Sequence, residues 1–117
     1  MSIDQTNTID FISTSPEGKV VLTISDHQSW GEDGHLQLLQ DKINAYLRFI
    51  ESGQIIEDYP TAAEKEIIIS TVLKYEPTDE ATSFLEKARE VILGAGIGFQ
   101  WRVLKNDEQY NLHSNSA

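Results

Sequence analysis

Residues 19–53 read KVVLTISDHQSWGEDGHLQLLQDKINAYLRFIESG, and the hydrophobic period changes along this stretch from two residues to about 3.6. Apolar and polar residues alternate at its start, which predicts a β-strand over Lys19–Ser25 with one apolar face. From about Gly31 the apolar residues recur at steps of three and four. This spacing predicts an amphipathic helix of about 20 residues that stops at Gly53.

The start of this helix has two candidate caps. Ser29, followed three residues later by Glu32, fits a capping box in which each side chain bonds the other residue's backbone amide. Asp33 is an alternative cap. The pattern alone leaves both open.

A shorter strand is predicted before the central one. Residues 8–13 have Ile9 and Phe11 on one face. The turn that follows has serine first, proline second and glycine fourth over Ser15–Gly18, which is typical of a type I turn. The two strands are therefore predicted to form a hairpin.

In the second half of the chain, a predicted strand is again followed by a predicted helix. Residues 66–76 form the most β-like run, and Thr78 is predicted to cap a second helix that ends at Gly94. Residues 97–104 then alternate as a last strand. Residues 54–65 are predicted to be a connector.

The element order ββαβαβ predicts an α+β fold, a two-layer sandwich with a four-stranded sheet and two helices on one face. Short links around the second helix predict that the last two strands are parallel, whereas the strand order stays open. We expect one domain over residues 1–117, with an ordered core over about 8–105 and frayed termini.

The composition limits the classes of function. The chain has 19 Asp and Glu against 9 Lys and Arg, a formal net charge of −10. This charge repels phosphate groups, so we expect neither nucleic-acid nor membrane binding. Solubility is the simplest explanation of such a charge, and the alternative is a surface that binds a basic protein partner, as in an acidic regulator or immunity-type inhibitor. Cysteine is absent, which excludes thiol chemistry and fits a reducing cytoplasm.

Polar residues are densest between the first long strand and the first helix, over Ser25–His35. We expect this segment to be mainly a structural entry to the helix, and we predict no catalytic residue, no metal and no cofactor. The alternative is a small-ligand or metal-binding domain at this junction, because imidazole and carboxylate groups bind cations. Its binding residues would be Asp26, His27, Trp30 and His35.

The sheet face opposite the helices is predicted to be open. It would carry Val21, Thr23, Ile68, Ser70, Val72, Gln100 and Arg102, with Ile12 beside them. The apolar members could form a patch larger than a monomer normally exposes, which predicts a homodimer through this face. Alternatively, the connector over residues 54–65 folds across the patch and keeps the chain monomeric.

The chain also resembles a known family. The element Ser25-Asp-His-x-x-Trp30, the long helix up to Gly53, the pair Tyr59-Pro60 and the run Lys74–Pro77 are similar to a family of small bacterial proteins of unknown function. The resemblance covers about Ile9 to Trp101. It implies a bacterial cytosolic origin and supplies no activity.

Overall fold

The computed structural model describes residues 9–31 and 34–104. The strands are β1 (Phe11–Thr14), β2 (Val20–Asp26), β3 (Ile67–Leu73) and β4 (Gly98–Val103). The helices are α1 (His35–Glu51), α2 (Gln54–Asp58) and α3 (Asp79–Gly94), with a 3-10 turn over Pro60–Ala62. None of these helices is both long enough and apolar enough to span a bilayer, within the ranges described.

The four strands form one mixed sheet in the order β1-β2-β3-β4. Strands β1 and β2 are antiparallel, which confirms the hairpin, and β3 and β4 are parallel, as predicted. Strand β2 also runs parallel to β3, because α1 and the segment after it carry the chain back to the start of the sheet. The α+β class and the order ββαβαβ of the long elements are confirmed.

Both long helices cover the same face of the sheet. The register places Leu22 opposite Ile69 and Ile69 opposite Phe99, and all three side chains are buried. The same hydrophobic cluster contains residues of α1 and of α3, namely Leu39, Ile43, Tyr46, Leu85 and Ile92. The two-layer arrangement predicted from the two amphipathic patterns is therefore present.

Helix α1 begins later than predicted. It starts at His35, and its N-cap is Gly34 in the left-handed conformation (φ 80°), with no side-chain hydrogen bond to the cap. The predicted cap by Ser29 is wrong, because Ser29 lies five residues before the N-cap and its carbonyl instead contacts the His35 ring. The other predicted capping residues, Glu32 and Asp33, lie outside the described residues.

Strand β1 begins at Phe11, later than predicted, and its register reverses the expected faces. Phe11 lies opposite Thr23 on the open face and is 40% exposed. Ile12 lies opposite Leu22 and packs against the core, so its placement on the open face is wrong. Cross-strand pairing decides which residues share a face, and Ile9 precedes the strand.

The open face is less apolar than predicted. Val72 is only 4% exposed, which removes it from the expected exposed patch. Thr23 and Ser70, predicted on the same face, are also buried, at 8% and 9% exposed, so the face is less open than predicted. The connector does not cross this face, because α2 and the 3-10 turn contribute Ile55 and Ala62 to the core cluster on the helix side. The alternative in which the connector covers the patch is therefore wrong.

The connection from β3 through α3 to β4 agrees with the prediction from the sequence. The Thr78 side chain accepts a hydrogen bond from the amide of Ala81 at 3.1 Å, which confirms the predicted cap of α3. Strand β4 alternates, with Phe99 buried and Gln100 exposed. The predicted frayed termini lie outside the described residues.

One residue of the core face provides a test of the packing. Thr71 lies opposite Ile24 and Trp101, is 0% exposed, and its hydroxyl has no hydrogen-bond partner in the described structure. Thr71→Val should raise the free energy of unfolding by about 1 kcal/mol, because it removes an unsatisfied buried polar group. Urea denaturation measures this change.

Thr71→Ser is the matched control. It keeps the hydroxyl and removes one methyl group, so it should lower the free energy of unfolding by about 1 kcal/mol. A Thr71→Val variant that unfolds at lower urea than the native chain would show that the hydroxyl is in fact stabilised.

Candidate functional site

The predicted cluster at the end of β2 contains a buried pair, Asp26 and His35. The Nε2 atom of His35 lies 2.6 Å from Oδ2 and 2.8 Å from Oδ1 of Asp26. The side chains are 2% exposed for His35 and 0% for Asp26. The end of β2 and the start of α1 are adjacent in space, and this brings the two residues together across the loop that joins them.

The contacts of His35 determine where its protons lie. Its Nδ1 is 3.0 Å from the carbonyl oxygen of Ser29, which can only accept, so Nδ1 carries a proton. The short contact between Nε2 and Asp26 therefore requires a further proton between the two groups. Burial raises the pKa of Asp26, and the hydrogen bond and charge of His35 offset this only in part. One proton on Nδ1 and one between Nε2 and the carboxylate leave the pair with no net charge.

Trp30 covers this pair. Its ring stacks on the His35 ring at 3.8 Å between centroids and 17° between planes. Its Nε1 donates to the carbonyl of Tyr75 at 3.1 Å, which links the loop after β2 to the loop after β3. The amide of Gln28 also donates to Asp26, at 3.2 Å. The loop is therefore fastened at several points above the pair.

Three of the four predicted binding residues converge. Asp26, Trp30 and His35 are in contact, whereas His27 is exposed on the surface. No group of three His, Asp or Glu side chains suited to a metal occurs within residues 9–31 and 34–104. A shallow cleft of about 290 Å³ lies beside Trp30 and His35 and is also lined by Thr78 and Glu80. The polar atoms of Asp26 and His35 point into internal hydrogen bonds and not into this cleft.

A second buried polar group was not predicted from the sequence. The Nζ of Lys42 donates to Oδ1 of Asp10 at 2.8 Å, and their side chains are 0% and 1% exposed. Lys42 lies three residues after Leu39 and four before Tyr46, on the apolar stripe of α1. A lysine on an apolar stripe is the sequence signal that indicates a buried partner.

Tyr46 completes this network at the end of the β1–β2 pairing. Its hydroxyl donates to the carbonyl of Thr23 at 2.6 Å and accepts from the amide of Asp10 at 2.8 Å. Oδ2 of Asp10 accepts from the amide of Ser25 at 3.0 Å. Before Phe11, hydrogen bonds from side chains thus take the place of backbone hydrogen bonds between the two strands. Burial raises the pKa of Tyr46, which keeps its hydroxyl protonated and able to donate.

A larger cleft than the one beside Trp30 lies along β1. This groove has a volume of about 1040 Å³ and runs between β1, the second half of α1 and α2. Its lining residues are Ile9, Asp10, Phe11, Ile12, Ala45, Arg48, Phe49, Glu51, Ser52, Gln54, Asp58 and Tyr59. The sequence pattern did not predict it, because it depends on how β1 and α1 are placed relative to each other.

Comparison with known proteins gives a family. The chain belongs to a family of unknown function (DUF6572), whose sequence profile matches residues 1–105. This agrees with the resemblance noted from the sequence to a family without known activity. Neither a curated protein nor a solved structure gives a match.

The buried pair of Asp10 and Lys42 can be tested by removing its cation. Lys42→Met should lower the free energy of unfolding by about 3–5 kcal/mol, because it leaves a carboxylate buried without its partner. The double variant Asp10→Asn/Lys42→Met should recover most of this loss, since it removes both charges. Urea denaturation measures both values. Equal destabilisation by the single and double variants would contradict the pairing. Lys74→Met is the control, because it makes the same substitution at an exposed lysine.

The pair of Asp26 and His35 predicts a dependence of stability on pH. A carboxyl whose pKa is raised by folding stabilises the folded state most below its unfolded pKa of about 3.9, and this contribution is lost as pH rises through the folded pKa. The difference in unfolding free energy between the native chain and Asp26→Asn should therefore shift against the native chain as pH rises. Denaturation series at several pH values measure it. A difference that is constant or moves the other way would contradict the raised pKa.

Proposed function

We propose that this member of the family is a bacterial, cytoplasmic, non-catalytic protein-interaction module, a regulator or immunity-type inhibitor that binds a basic protein partner. The observation that carries the proposal is the excess of exposed acidic side chains over exposed basic ones. The chain has a net charge of −10, and Lys42, one of its few cations, is buried against Asp10.

Nine of the exposed acidic residues lie in two regions. The first runs from the end of α1 to the start of β3 and contains Glu51, Glu57, Asp58, Glu64 and Glu66. The second is the outer surface of α3, with Asp79, Glu80, Glu86 and Glu90. Fields of one sign speed the encounter with a partner of the opposite sign and repel like charges. This surface therefore favours a basic protein and disfavours nucleic acids.

The buried polar groups support a role without catalysis. An acid–base catalyst must reach the substrate proton directly or through one water molecule. Asp26 and His35 are almost fully buried beneath Trp30, and Asp10 and Lys42 are buried beneath α1. Their hydrogen bonds hold loops and strands in place, which is a structural role.

A small-ligand site at the junction is the second candidate function. The cleft beside Trp30 supports it, because an aromatic ring and the carboxylate of Glu80 border one concave surface. Its volume of about 290 Å³ is at the lower limit of ligand pockets. A rise in melting temperature with a metal ion or a metabolite mixture, lost in Trp30→Ala, would favour this candidate over a protein partner.

The homodimer predicted through the open sheet face stays a prediction. The apolar side chains now available on this face are those of Phe11, Val21 and Ile68, with Gln100 and Arg102 beside them. Two copies would each bring a charge of −10, which opposes their approach.

Affinity purification tests the proposed function. The chain, tagged and expressed in its host, should retain a basic protein in stoichiometric amount, and raised salt should weaken the complex because charges steer it. Reconstitution from the two purified proteins should reproduce this salt dependence. A partner with an acidic surface, binding that is indifferent to salt, or a small molecule retained in place of a protein would contradict the proposal.

A further inference from the structure

Within the described residues, no strand pairs with the outer edge of β1. Among the described strands, β1 has β2 as its one neighbour. The amide of Ser15 donates to the carbonyl of Lys19 at 2.7 Å, and bonded positions alternate along an antiparallel strand. The amide and carbonyl groups of Ile12 and Thr14 therefore point away from β2. Such an edge can pair with another extended chain.

Helix α1 extends beyond this edge. Ala45, Arg48, Phe49 and Ser52 follow one another at helical spacing on one side of α1, and all four line the groove opposite residues 9–12. Phe49 packs against the core while it borders the groove. In the described part of the chain, no strand lies beneath this row of side chains. This part of the helix layer thus borders the groove and not a strand.

The charges along the groove select the sign of its ligand. Glu51 and Asp58 line it, against one cation, Arg48. The remaining acid, Asp10, is neutralised by Lys42 at 2.8 Å. An extended segment with lysine or arginine side chains would therefore be attracted both to the groove and to the whole chain.

We propose that an extended, basic segment of a protein partner binds as a fifth strand along β1, in the groove beneath α1. This inference rests on the proposed function and names the surface it uses. The backbone of the segment bonds Ile12 and Thr14, and every second side chain enters the groove towards Phe49. A strand as long as β1, with four residues at about 3.3 Å each, pairs with a partner segment of about the same length.

A second copy of the chain fits this edge less well than a basic segment does. The edge is only four residues long, and a two-fold contact would bring two equally acidic chains together.

The test uses a random library of peptides of about ten residues, displayed on phage and selected on the intact protein. Selected peptides should be rich in lysine or arginine, with apolar residues among the side chains that enter the groove. The best peptide is then synthesised, its affinity is measured by fluorescence anisotropy, and its site is mapped by amide chemical shifts. The shifts should concentrate at Phe11–Thr14 and at Ala45–Ser52.

Two variants of one residue test the backbone pairing. Thr14→Pro removes an outward amide without removing a bond to β2, whereas Thr14→Val keeps the amide and loses only the hydroxyl contact with Tyr59. The proline variant should weaken peptide binding by about tenfold relative to the valine variant, which is close to the loss of one well-made hydrogen bond. Their unfolding midpoints show that both are folded.

Two double variants separate the groove from the general charge. Glu51→Lys/Asp58→Lys and Glu86→Lys/Glu90→Lys change the net charge equally, but the second pair lies on α3. The first should weaken binding of the basic peptide about tenfold more than the second, because only the first acts at close range. This comparison also holds if Thr14→Pro fails to fold.

The outcomes distinguish the two proposals. Basic peptides whose shifts map elsewhere, or an equal response to both double variants, would overturn the groove and leave the proposed function intact. Selection of no peptide would likewise overturn the groove alone, whereas selection of acidic peptides would overturn both. A dimer in light scattering that Thr14→Pro dissociates would assign the edge to a second copy and overturn the basic segment as its occupant.

Discussion

The ion pair between Lys42 and Asp10 is the constraint on which the rest of the structure depends. It joins α1 to the start of the hairpin, with 2.8 Å between two side chains that are almost completely removed from water. Each ion alone would be costly to bury by several kcal/mol, so neither can leave its partner without destabilising the fold. Tyr46 adds a neutral bridge from the same helix to the backbone of both strands. Together, these contacts determine where α1 lies on the sheet and where β1 begins.

The position of the network also explains the groove. Because the carboxylate of Asp10 takes the amide of Ser25, regular pairing stops at Phe11. Strand β1 is short for this reason, while α1 continues past its edge to Glu51. A short edge strand normally limits unwanted pairing, and here the overhanging helix restricts access further. Such an edge favours one narrow extended segment over another sheet.

Periodicity in the sequence predicts the elements of this fold well and their contacts less well. The alternation of residues 19–25 and the helical spacing that follows report which side of each element is buried, and this gives the class, the order and the parallel pair β3–β4. Register depends on partners distant in sequence, so the predicted faces of Phe11 and Ile12 are the reverse of the observed ones. The burial of Lys42 is not among the predictions from the sequence. Its position on the apolar stripe could have revealed its burial, but not Asp10 as its partner.

The candidate site shows a similar division between what a pattern and a structure can indicate. The cluster of polar residues around Asp26 and His35 attracts attention because these types also carry out catalysis, yet their protons and lone pairs are directed to Ser29, to Gln28 and to each other. A buried pair without net charge can position a loop at a smaller desolvation penalty than a single ion. This positions Trp30 and joins two loops at the carboxyl ends of β2 and β3. The groups left for recognition are those without such internal roles, which are the exposed carboxylates and the backbone edge of β1. The polar residues thus have two separate roles: the buried pairs determine the geometry of the fold, and the exposed carboxylates are available to a partner.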